Sequence, residues 1–266
     1  MNLVADTMSV NRFEEIRRDL HFTDKCSILP DNKDKYIIIR PILNKLHETF
    51  HNAVDPEEYN SVDQMMIPFK DRSSLKQYLP KKPKKWRYKM WVRAGISGYV
   101  YCFELYQGAK SACGAAGDIV IRLTHDLHGK NYKVYADNYF TSVPLFLKLQ
   151  DIWYVGIIQV NMLQGTHKKL KPAKSLQKER RGSVSICTSN EGITVTRWID
   201  NSAVHVISSY AGKESVSTAQ RFSRIEGIFI EVQRPYSIEC HNNHMGDVDL
   251  MDSLVALYRN DIRNRR

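Results

Sequence analysis

The chain has 266 residues, of which 42% are hydrophobic and 26% charged, a composition that supports a folded core. Its net charge of +10 and isoelectric point of about 9.3 indicate a polyanionic partner rather than a pocket for a small acidic substrate. No apolar run reaches the roughly 18 residues that a membrane span requires, and the first ten residues lack the basic start and apolar core of a secretory signal. The five cysteines are scattered and form no CxxC pair, which fits a reducing compartment and disfavours a zinc ribbon.

The first 55 residues or so predict helices that serve packing rather than chemistry. Asn11 and Glu14 resemble a capping box, and Pro41 suits the first turn of a second helix. The predicted apolar sides are Phe13, Ile16 and Leu20 in the first helix and Ile42, Leu46 and Phe50 in the second.

Residues 61–106 predict strands. One strand candidate spans residues 61–69 and carries Asp63. Two more flank the turn sequence Gly95-Ile96-Ser97-Gly98, so a hairpin is predicted there. Because Tyr99–Phe103 is almost entirely apolar, the second strand of this hairpin is expected to be buried on both faces.

A basic cluster lies between these strands. Residues 70–93 contain ten Lys or Arg against the single acid Asp71, which gives a net charge of +9. Nucleic-acid grooves combine cations for phosphates with aromatic rings for stacking on unpaired bases, and both are interleaved here. A solvated basic loop whose aromatics belong to the core is the alternative. The residues expected to bind nucleic acid are Lys70, Arg72, Lys76, Lys81, Lys82, Lys84, Lys85, Arg87 and Lys89, and the aromatics are Tyr78, Trp86, Tyr88 and Trp91.

The following elements predict a mixed α/β sheet with an acid at one strand tip. A helix over residues 111–129 precedes a short β-prone run, Lys133–Ala136, which ends at Asp137. A helix around Leu145 and a strand over residues 155–160 come next. A carboxylate at such a tip faces the crevice in which α/β sheets bind ligands, but an Asx-turn or a helix cap would also place an Asp here.

Beyond residue 160 the pattern changes. Residues 161–184 form a Lys-rich polar run with little periodicity, which we interpret as a linker or exposed loop, and residues 183–209 predict three short strands of a β-rich insertion. The last stretch predicts a helix in which Asp249 and Asp252 are neighbours on one face. Their favourable interaction with a helix N-terminus would by itself explain them. The predicted apolar side of this helix is Leu250, Leu254, Leu257 and Tyr258.

Acids therefore stand at the ends of elements in three separate stretches, around Asp63, around Asp137, and at Asp249 and Asp252. A basic protein that cuts or joins nucleic acid needs metal ions to neutralise phosphate and to activate water or a 3′-hydroxyl. Mg²⁺ takes hard oxygen ligands and keeps some waters, so three or four carboxylates suffice. His241 and His244 have no further His or Cys at zinc-ligand spacing, so a zinc site is not expected there.

These stretches resemble the catalytic blocks of piggyBac-type transposases. Ser61–Lys70 with Ser74–Pro80 and Lys82–Trp86 resembles the first block, Asp137–Ser142 the second, and His244–Asp252 the third. The match spans almost the whole chain and is nearest to the domesticated piggyBac transposable element-derived proteins.

The resemblance implies an α/β fold with an RNase H-like catalytic core, a mixed sheet flanked by helices, which is interrupted by a β-rich insertion and preceded by an N-terminal helical segment. It implies that Asp63, Asp137 and Asp249 are a metal-binding triad and that Asp252 is an additional active-site acid. Cut-and-paste chemistry at TTAA targets with Mg²⁺, DNA as partner, a homodimer, a nuclear location and no small-molecule cofactor are expected with it. The implied segments are residues 1–58 (helical), 59–160 (first part of the core), 161–238 (basic linker and β-rich insertion) and 239–266 (last helix of the core).

The chain also departs from the family pattern. Gln64 stands where the family usually has Glu, Gln159 where it has an Arg expected to bind phosphate, and Asp247 where it has Gly. The chain stops at Arg266, before the basic and Cys-rich C-terminal regions of many relatives. Beside a metal-dependent nuclease and strand transferase, two other hypotheses therefore stand: a domesticated or truncated DNA-binding protein without catalysis, and a marginally stable relic without function.

Overall fold

The structure is a computed structural model that describes residues 6–69, 72–80, 85–108, 115–149, 151–212, 216–224 and 226–257. The chain divides into two compact units, Met1–Val54 and Asp55–Arg266. Within the described ranges, no helix combines the length and the apolar character that a membrane crossing requires.

The described residues of the first unit include the two predicted helices, α1 (Val10–Asp19) and α2 (Arg40–Ala53). The cap of α1 was predicted at Asn11, which is wrong: the side chain of Ser9 accepts a hydrogen bond from the backbone N–H of Arg12 at 3.3 Å. Pro41 does lie in the first turn of α2. The predicted apolar side of α1 is not buried in this structure, since Phe13, Ile16 and Leu20 are all exposed.

The second unit is organised around a mixed sheet that has nine strands in the described part of the chain. These are β1 (Tyr59–Pro68), β2 (Gln77–Tyr78), β3 (Trp86–Gly95), β4 (Val100–Leu105), β5 (Lys133–Ala136), β6 (Trp153–Ile157), β7 (Val184–Thr188), β8 (Thr194–Ile199) and β9 (Ala203–Ser208). Their spatial order is β2-β3-β1-β5-β6-β9-β8-β7, with β4 paired to β3. The three strands β1, β5 and β6 run parallel, and the other pairings are antiparallel. A second sheet pairs β10 (Ser217–Ser223) with β11 (Ile228–Arg234).

Helices cover both faces of the central sheet. On one face, α3 (Ala115–Leu123) and α4 (Val143–Lys148) share a buried apolar cluster with Val62, Val134 and Ala136. On the other face, α6 (Tyr236–His244) packs with Tyr135 and Val155, and α7 (Asp247–Leu257) packs on β1 and β3. Because residues alternate between the faces of a strand, Val62 and Asp63 belong to opposite sides of β1. Asp63 therefore lies on the side of α6 and α7.

The predicted hairpin is confirmed as β3 and β4, but β4 is only partly buried. Tyr101 and Cys102 are buried, one on each face, whereas Val100 and Phe103 are partly exposed. The reason is that β4 pairs with β3 alone among the described strands.

Two predictions for the later part of the chain are wrong. Part of the expected loop, residues 161–184, forms a helix, α5 (Ala173–Glu179), and Leu163, Leu170 and Leu176 around it are buried. The apolar side of α7 was also misplaced. Leu250, Leu254 and Leu257 are exposed, Tyr258 lies outside the described residues, and the buried apolar residues are Val248 and Met251.

The strands β7, β8 and β9 of the β-rich segment continue the central sheet instead of forming a sheet of their own.

Candidate active site and nucleic-acid interface

The register of two parallel strands places two acids side by side. The pairing of β1 with β5 runs from Tyr59↔Lys133 to Val62↔Ala136. Asp63 and Asp137 each follow that last pair by one residue, so they occupy adjacent positions at one edge of the parallel part of the sheet. Neighbouring strands are about 4.8 Å apart, which brings the two half-buried carboxylates within reach of a common ligand.

The turn after β5 holds Asp137 at this edge through its backbone. The carbonyl oxygen of Asp137 accepts hydrogen bonds from the backbone N–H of Phe140 at 3.1 Å and from Thr141 Oγ1 at 3.0 Å. Phe140 is buried and anchors the turn. The side chain of Ser142 caps α4 by accepting from the N–H of Leu145, so the side chain of Asp137 is not used as a helix cap.

The helix α6 fixes the end of β5 from the other face. His241, which is 4% exposed, donates from Nε2 to the carbonyl oxygen of Ala136 at 3.2 Å. Burial lowers the pKa of His241, so the neutral imidazole serves here as a donor. His244 stacks on Tyr59 with ring centroids 4.3 Å apart. Both histidines therefore help to position the strands that carry the acids.

The charge of Lys89 interacts electrostatically with that of Asp63. The ammonium group of Lys89 is 4.1 Å from the ring centroid of Trp91 and 4.4 Å from that of Tyr139, so it contacts both rings of this stacked pair. Burial lowers the pKa of Lys89, while the negative charge of Asp63 opposes this shift. Because Tyr139 follows Asp137 by two residues, the lysine links β3 to the turn that carries Asp137.

Asp249 and Asp252 lie on one flank of α7. Val248 and Met251 share a buried cluster with Val92 and Ala94 on the sheet, while Leu250 and Leu254 lie near Gly98 in the β3–β4 turn. Because successive helical residues are rotated by about 100°, the two acids come on the flank opposite these leucines. Both acids are exposed, and Asp249 lies in the first turn of the helix.

Asp247, the acid that stands where the family has Gly, is buried, which its sequence context did not predict. It is 5% exposed and lies against Ser61 at the start of α7, and its Oδ2 has no hydrogen-bond partner. Burial raises the pKa of Asp247 to about 6, and the nearby charge of Glu57 acts in the same direction. Its place at the first helical position, favourable for an acid, was the only signal in the sequence.

The donor set fits a hard divalent cation, but only two of its members are adjacent. Across the described ranges, no group of three or more His, Cys, Asp or Glu residues comes together closely enough to hold a metal ion. Asp63 and Asp137 supply carboxylate oxygens from neighbouring positions, and Mg²⁺ is commonly bound by one or two carboxylates together with waters and substrate phosphates. The pair is therefore suited to a cation whose remaining ligands come from water and substrate.

A basic ribbon begins at the same edge of the sheet. We use this name for residues 65–69, 72–80 and 85–89, in which the outer ends of β1 and β3 pair with each other and β2 pairs with β3. Tyr78 and Trp86 are 50% and 46% exposed and lie with ring centroids 4.8 Å apart. The ammonium group of Lys76 is 4.6 Å from the centroid of Trp86. Cations and half-exposed rings thus alternate on a surface that projects past the acid pair.

The ribbon contains only part of the predicted basic cluster. Arg72 and Lys85 are exposed, and Lys76, Arg87 and Lys89 are half-buried. Arg93 was counted with the cluster, but it is fully buried and forms an ion pair with Asp126 at 2.7 Å. Trp91 belongs to the core, as the alternative interpretation expected, whereas Tyr78 and Trp86 do not. Four predicted residues lie outside the described ranges: Lys70, Lys81, Lys82 and Lys84.

Asp63 lies within β1, not at the strand end where it was predicted, but it directly follows the part of β1 that pairs with β5, and Asp137 directly follows β5. This arrangement and the sheet order match an RNase H-like fold of the kind found in DDE transposases. The chain superposes on a chain of a cryo-EM structure titled as a piggyBac transposase synaptic complex with hairpin DNA. The TM-score is 0.74 at 22% sequence identity, over 94% of this chain and 51% of that chain.

The family model described as Transposase IS4 matches residues 1–266, and the chain belongs to the piggyBac group of these transposases. It is 32% identical to human piggyBac transposable element-derived protein 3 over 99% of this chain and 46% of that protein. It is 29% identical to human piggyBac transposable element-derived protein 2 over 100% of this chain and 46% of that protein. The chain thus spans about half the length of the curated relatives it matches.

Proposed function

We propose that this chain binds DNA through the basic ribbon and that its acids form a metal-dependent site for DNA cleavage and strand transfer at TTAA targets. The observation that supports this most directly is the adjacency of Asp63 and Asp137, each directly after the last pair of the parallel β1–β5 pairing. Asp249 and Asp252 are proposed as the acids that α7 contributes from above the same face of the sheet. The protein is proposed to act in the nucleus and as a homodimer.

Each part of the site has a role that follows from its chemistry. Asp63 and Asp137 are proposed to hold Mg²⁺, which when bound neutralises phosphate charge and activates water or a 3′-hydroxyl. Lys76, Lys85 and Arg87 on the ribbon contribute charge toward the DNA backbone, and Trp86 offers a ring face for stacking on an unpaired base. His241 keeps the end of β5 in place and thereby positions Asp137.

A second candidate function is DNA binding without cleavage. Two observations favour it: no three acids of the described residues approach one another closely enough for a metal site, and the charge of Asp63 already interacts electrostatically with that of Lys89. Under this alternative the basic ribbon is the functional surface, and the acids are a remnant of an ancestral activity.

Cleavage of a labelled TTAA duplex, with Mg²⁺ or with EDTA, distinguishes the two functions. We expect cutting that requires metal and that Asp137→Asn abolishes, because the variant keeps the shape of the side chain and removes its charge. Asp151→Asn is the matched control, since Asp151 is an exposed acid in the turn before β6. Cutting that survives EDTA, or that persists in Asp137→Asn, would contradict the cleavage proposal.

Measuring DNA binding in the same samples tests the assumption that both proposals share, namely that the chain binds DNA. Binding should weaken steeply with salt, since each neutralised phosphate adds about 0.9 to the slope of log K against log salt concentration. Trp86→Ala should weaken binding to single-stranded DNA, because stacking contributes about 1–3 kcal/mol per base. Retention without cutting would favour the second function, and the absence of retention would refute both.

A further inference from the structure

A cavity of about 580 Å³ opens directly beside the turn that follows Asp137. Its polar lining residues are Asn138, Gln159, Arg197 and His205, and the rest of the wall is formed by aliphatic side chains of β6, β9 and the start of α5. Asn138 follows Asp137 directly in the chain, so the cavity begins one residue from the acid pair. None of these polar residues belongs to the acid set or to the basic ribbon.

Arg197 contributes a buried positive charge to this cavity. It is 5% exposed, donates from Nε to Nε2 of His205 at 2.8 Å, and donates from Nη1 to the carbonyl oxygen of Lys171. Both partners are neutral acceptors, and no carboxylate within the described ranges forms an ion pair with Arg197. Burial lowers the pKa of Arg197, but a guanidinium remains charged at any physiological pH.

His205 orients the guanidinium without neutralising it. Its Nε2 accepts the hydrogen bond from Arg197, which fixes the tautomer with the proton on Nδ1. Burial, the charge of Arg197 and that of His167, in this order, lower the pKa of His205 to about 4. At neutral pH the pair therefore carries a single positive charge. A buried charge without a counter-charge is costly. The guanidinium of Arg197 is such a charge, and a bound anion would offset this cost.

We infer that Arg197 forms a binding subsite for a phosphate group, and that its ligand is a backbone phosphate of DNA next to the one that reaches Asp137. The inference rests on the proposed function for the identity of the ligand as DNA. The aliphatic wall keeps the local dielectric low, which strengthens the attraction between guanidinium and phosphate. The side-chain amides of Asn138 and Gln159 are further donors on the cavity lining, and the aliphatic wall suits a sugar ring.

The test uses three variants. Arg197→Met removes the charge, Ala203→Leu fills the cavity and leaves the guanidinium in place, and Arg180→Met removes an exposed arginine as the matched control. Thermal unfolding is followed with and without inorganic phosphate at constant ionic strength, with chloride as the reference. Phosphate should raise the melting temperature of the wild type and of Arg180→Met, but not that of Arg197→Met or Ala203→Leu. If Arg197→Met does not fold, Ala203→Leu carries the test.

Binding of duplex DNA provides the second readout. Arg197→Met should weaken affinity about tenfold, as expected for loss of one charge-assisted contact, and should reduce the salt slope by about 0.9. Arg180→Met should leave both quantities close to the wild-type values.

Four results would overturn the inference, and they are distinguishable from a failure of the proposed function. If phosphate stabilises the wild type and Arg197→Met equally, Arg197 does not form an anion subsite. If the wild type binds DNA and Arg197→Met binds with the same affinity and salt slope, the subsite is refuted while the proposed function stands. Phosphate stabilisation that depends on Arg197, in a protein that does not bind DNA, would refute DNA as the ligand. If Ala203→Leu responds to phosphate as the wild type does, the cavity is not the binding place.

Discussion

A single methyl group added at Gly156 should disturb the turn that holds Asp137. Gly156 lies in β6, opposite Ala136 in the parallel pairing with β5. A Cβ atom at this position would lie 2.2 Å from Thr141 Oγ1 and 2.9 Å from Thr141 Cγ2, and 3.0 Å from a ring carbon of Tyr154. Thr141 must move, although its hydroxyl supports the carbonyl oxygen of Asp137 at 3.0 Å.

The expected cost of Gly156→Ala has two parts. Insertion of a methyl group into a tightly packed core costs about 1–3 kcal/mol, and loss of the hydrogen bond from Thr141 costs about 0.5–1.5 kcal/mol. The two parts overlap where Thr141 moves, so we expect the free energy of unfolding to fall by about 2–4 kcal/mol. Urea denaturation of the purified variant measures this quantity.

A matched substitution and a double-mutant cycle test the assigned cause. Gly117→Ala is the control, since a Cβ at this position in α3 would meet Leu145 at an ordinary 3.8 Å and should be neutral or stabilising by up to about 1 kcal/mol. Combining Gly156→Ala with Thr141→Ala removes the clash, so the double variant should lose less stability than the sum of the two single variants. Additive losses, or a neutral Gly156→Ala, would refute the role given to Thr141.

Two further predictions concern buried charges. The pKa of His205 is lowered to about 4 from an ordinary value of 6.5, so the unfolded chain takes up a proton that the folded chain refuses, and stability should fall by about 3 kcal/mol as the pH drops from 6.5 to 4. Urea denaturation at a series of pH values measures this, and an equally steep loss in His205→Gln would contradict the assignment. Asp126→Asn leaves the fully buried Arg93 without its ion-pair partner and should lower the free energy of unfolding by about 3 kcal/mol. The exposed Asp151→Asn should change it little, and a similar effect of the two variants would argue against the importance of the buried pair.

The strand end before Asp137 was predictable because local signals and sheet geometry agree there, whereas the expected end at Asp63 was wrong, since β1 continues to Pro68. A short β-prone run that ends in Asp137, and a strand that carries Asp63, required only the chain order β, hairpin, α, β, α, β to become neighbours in a parallel sheet. The register that aligns Val62 with Ala136 is a tertiary feature and could not be read from either strand alone.

The burial of the last helix was harder to predict because its sequence is apolar on more than one side. Leu250, Leu254 and Leu257 recur at helical spacing, yet Val248 and Met251 contact the sheet. The choice between two apolar sides depends on the shape of the surface formed by Val92 and Ala94, which periodicity does not describe.

The other incorrect predictions concern segments rich in charged residues, which were expected to be exposed. The helix α5 was missed because lysines separate its one buried leucine, Leu176, from Leu163 and Leu170. The burial of Asp247 and Arg197 was likewise unpredictable, since charged residues are almost never fully buried unless they are paired. Asp247 and Arg197 lie near the candidate site, and functional sites are where residues most often depart from the usual preference of charged side chains for the surface.

The length of β1 sets the distance between the acid pair and the basic ribbon. The strand runs without interruption from Asp63 to Pro68, where the basic ribbon is paired to β3. Five residues of extended chain span about 17 Å, which equals about five base-pair steps of duplex DNA. If the ribbon binds a duplex that runs along β1, as the proposed function requires, the length of this strand sets the distance between the bound base pairs and the acid pair.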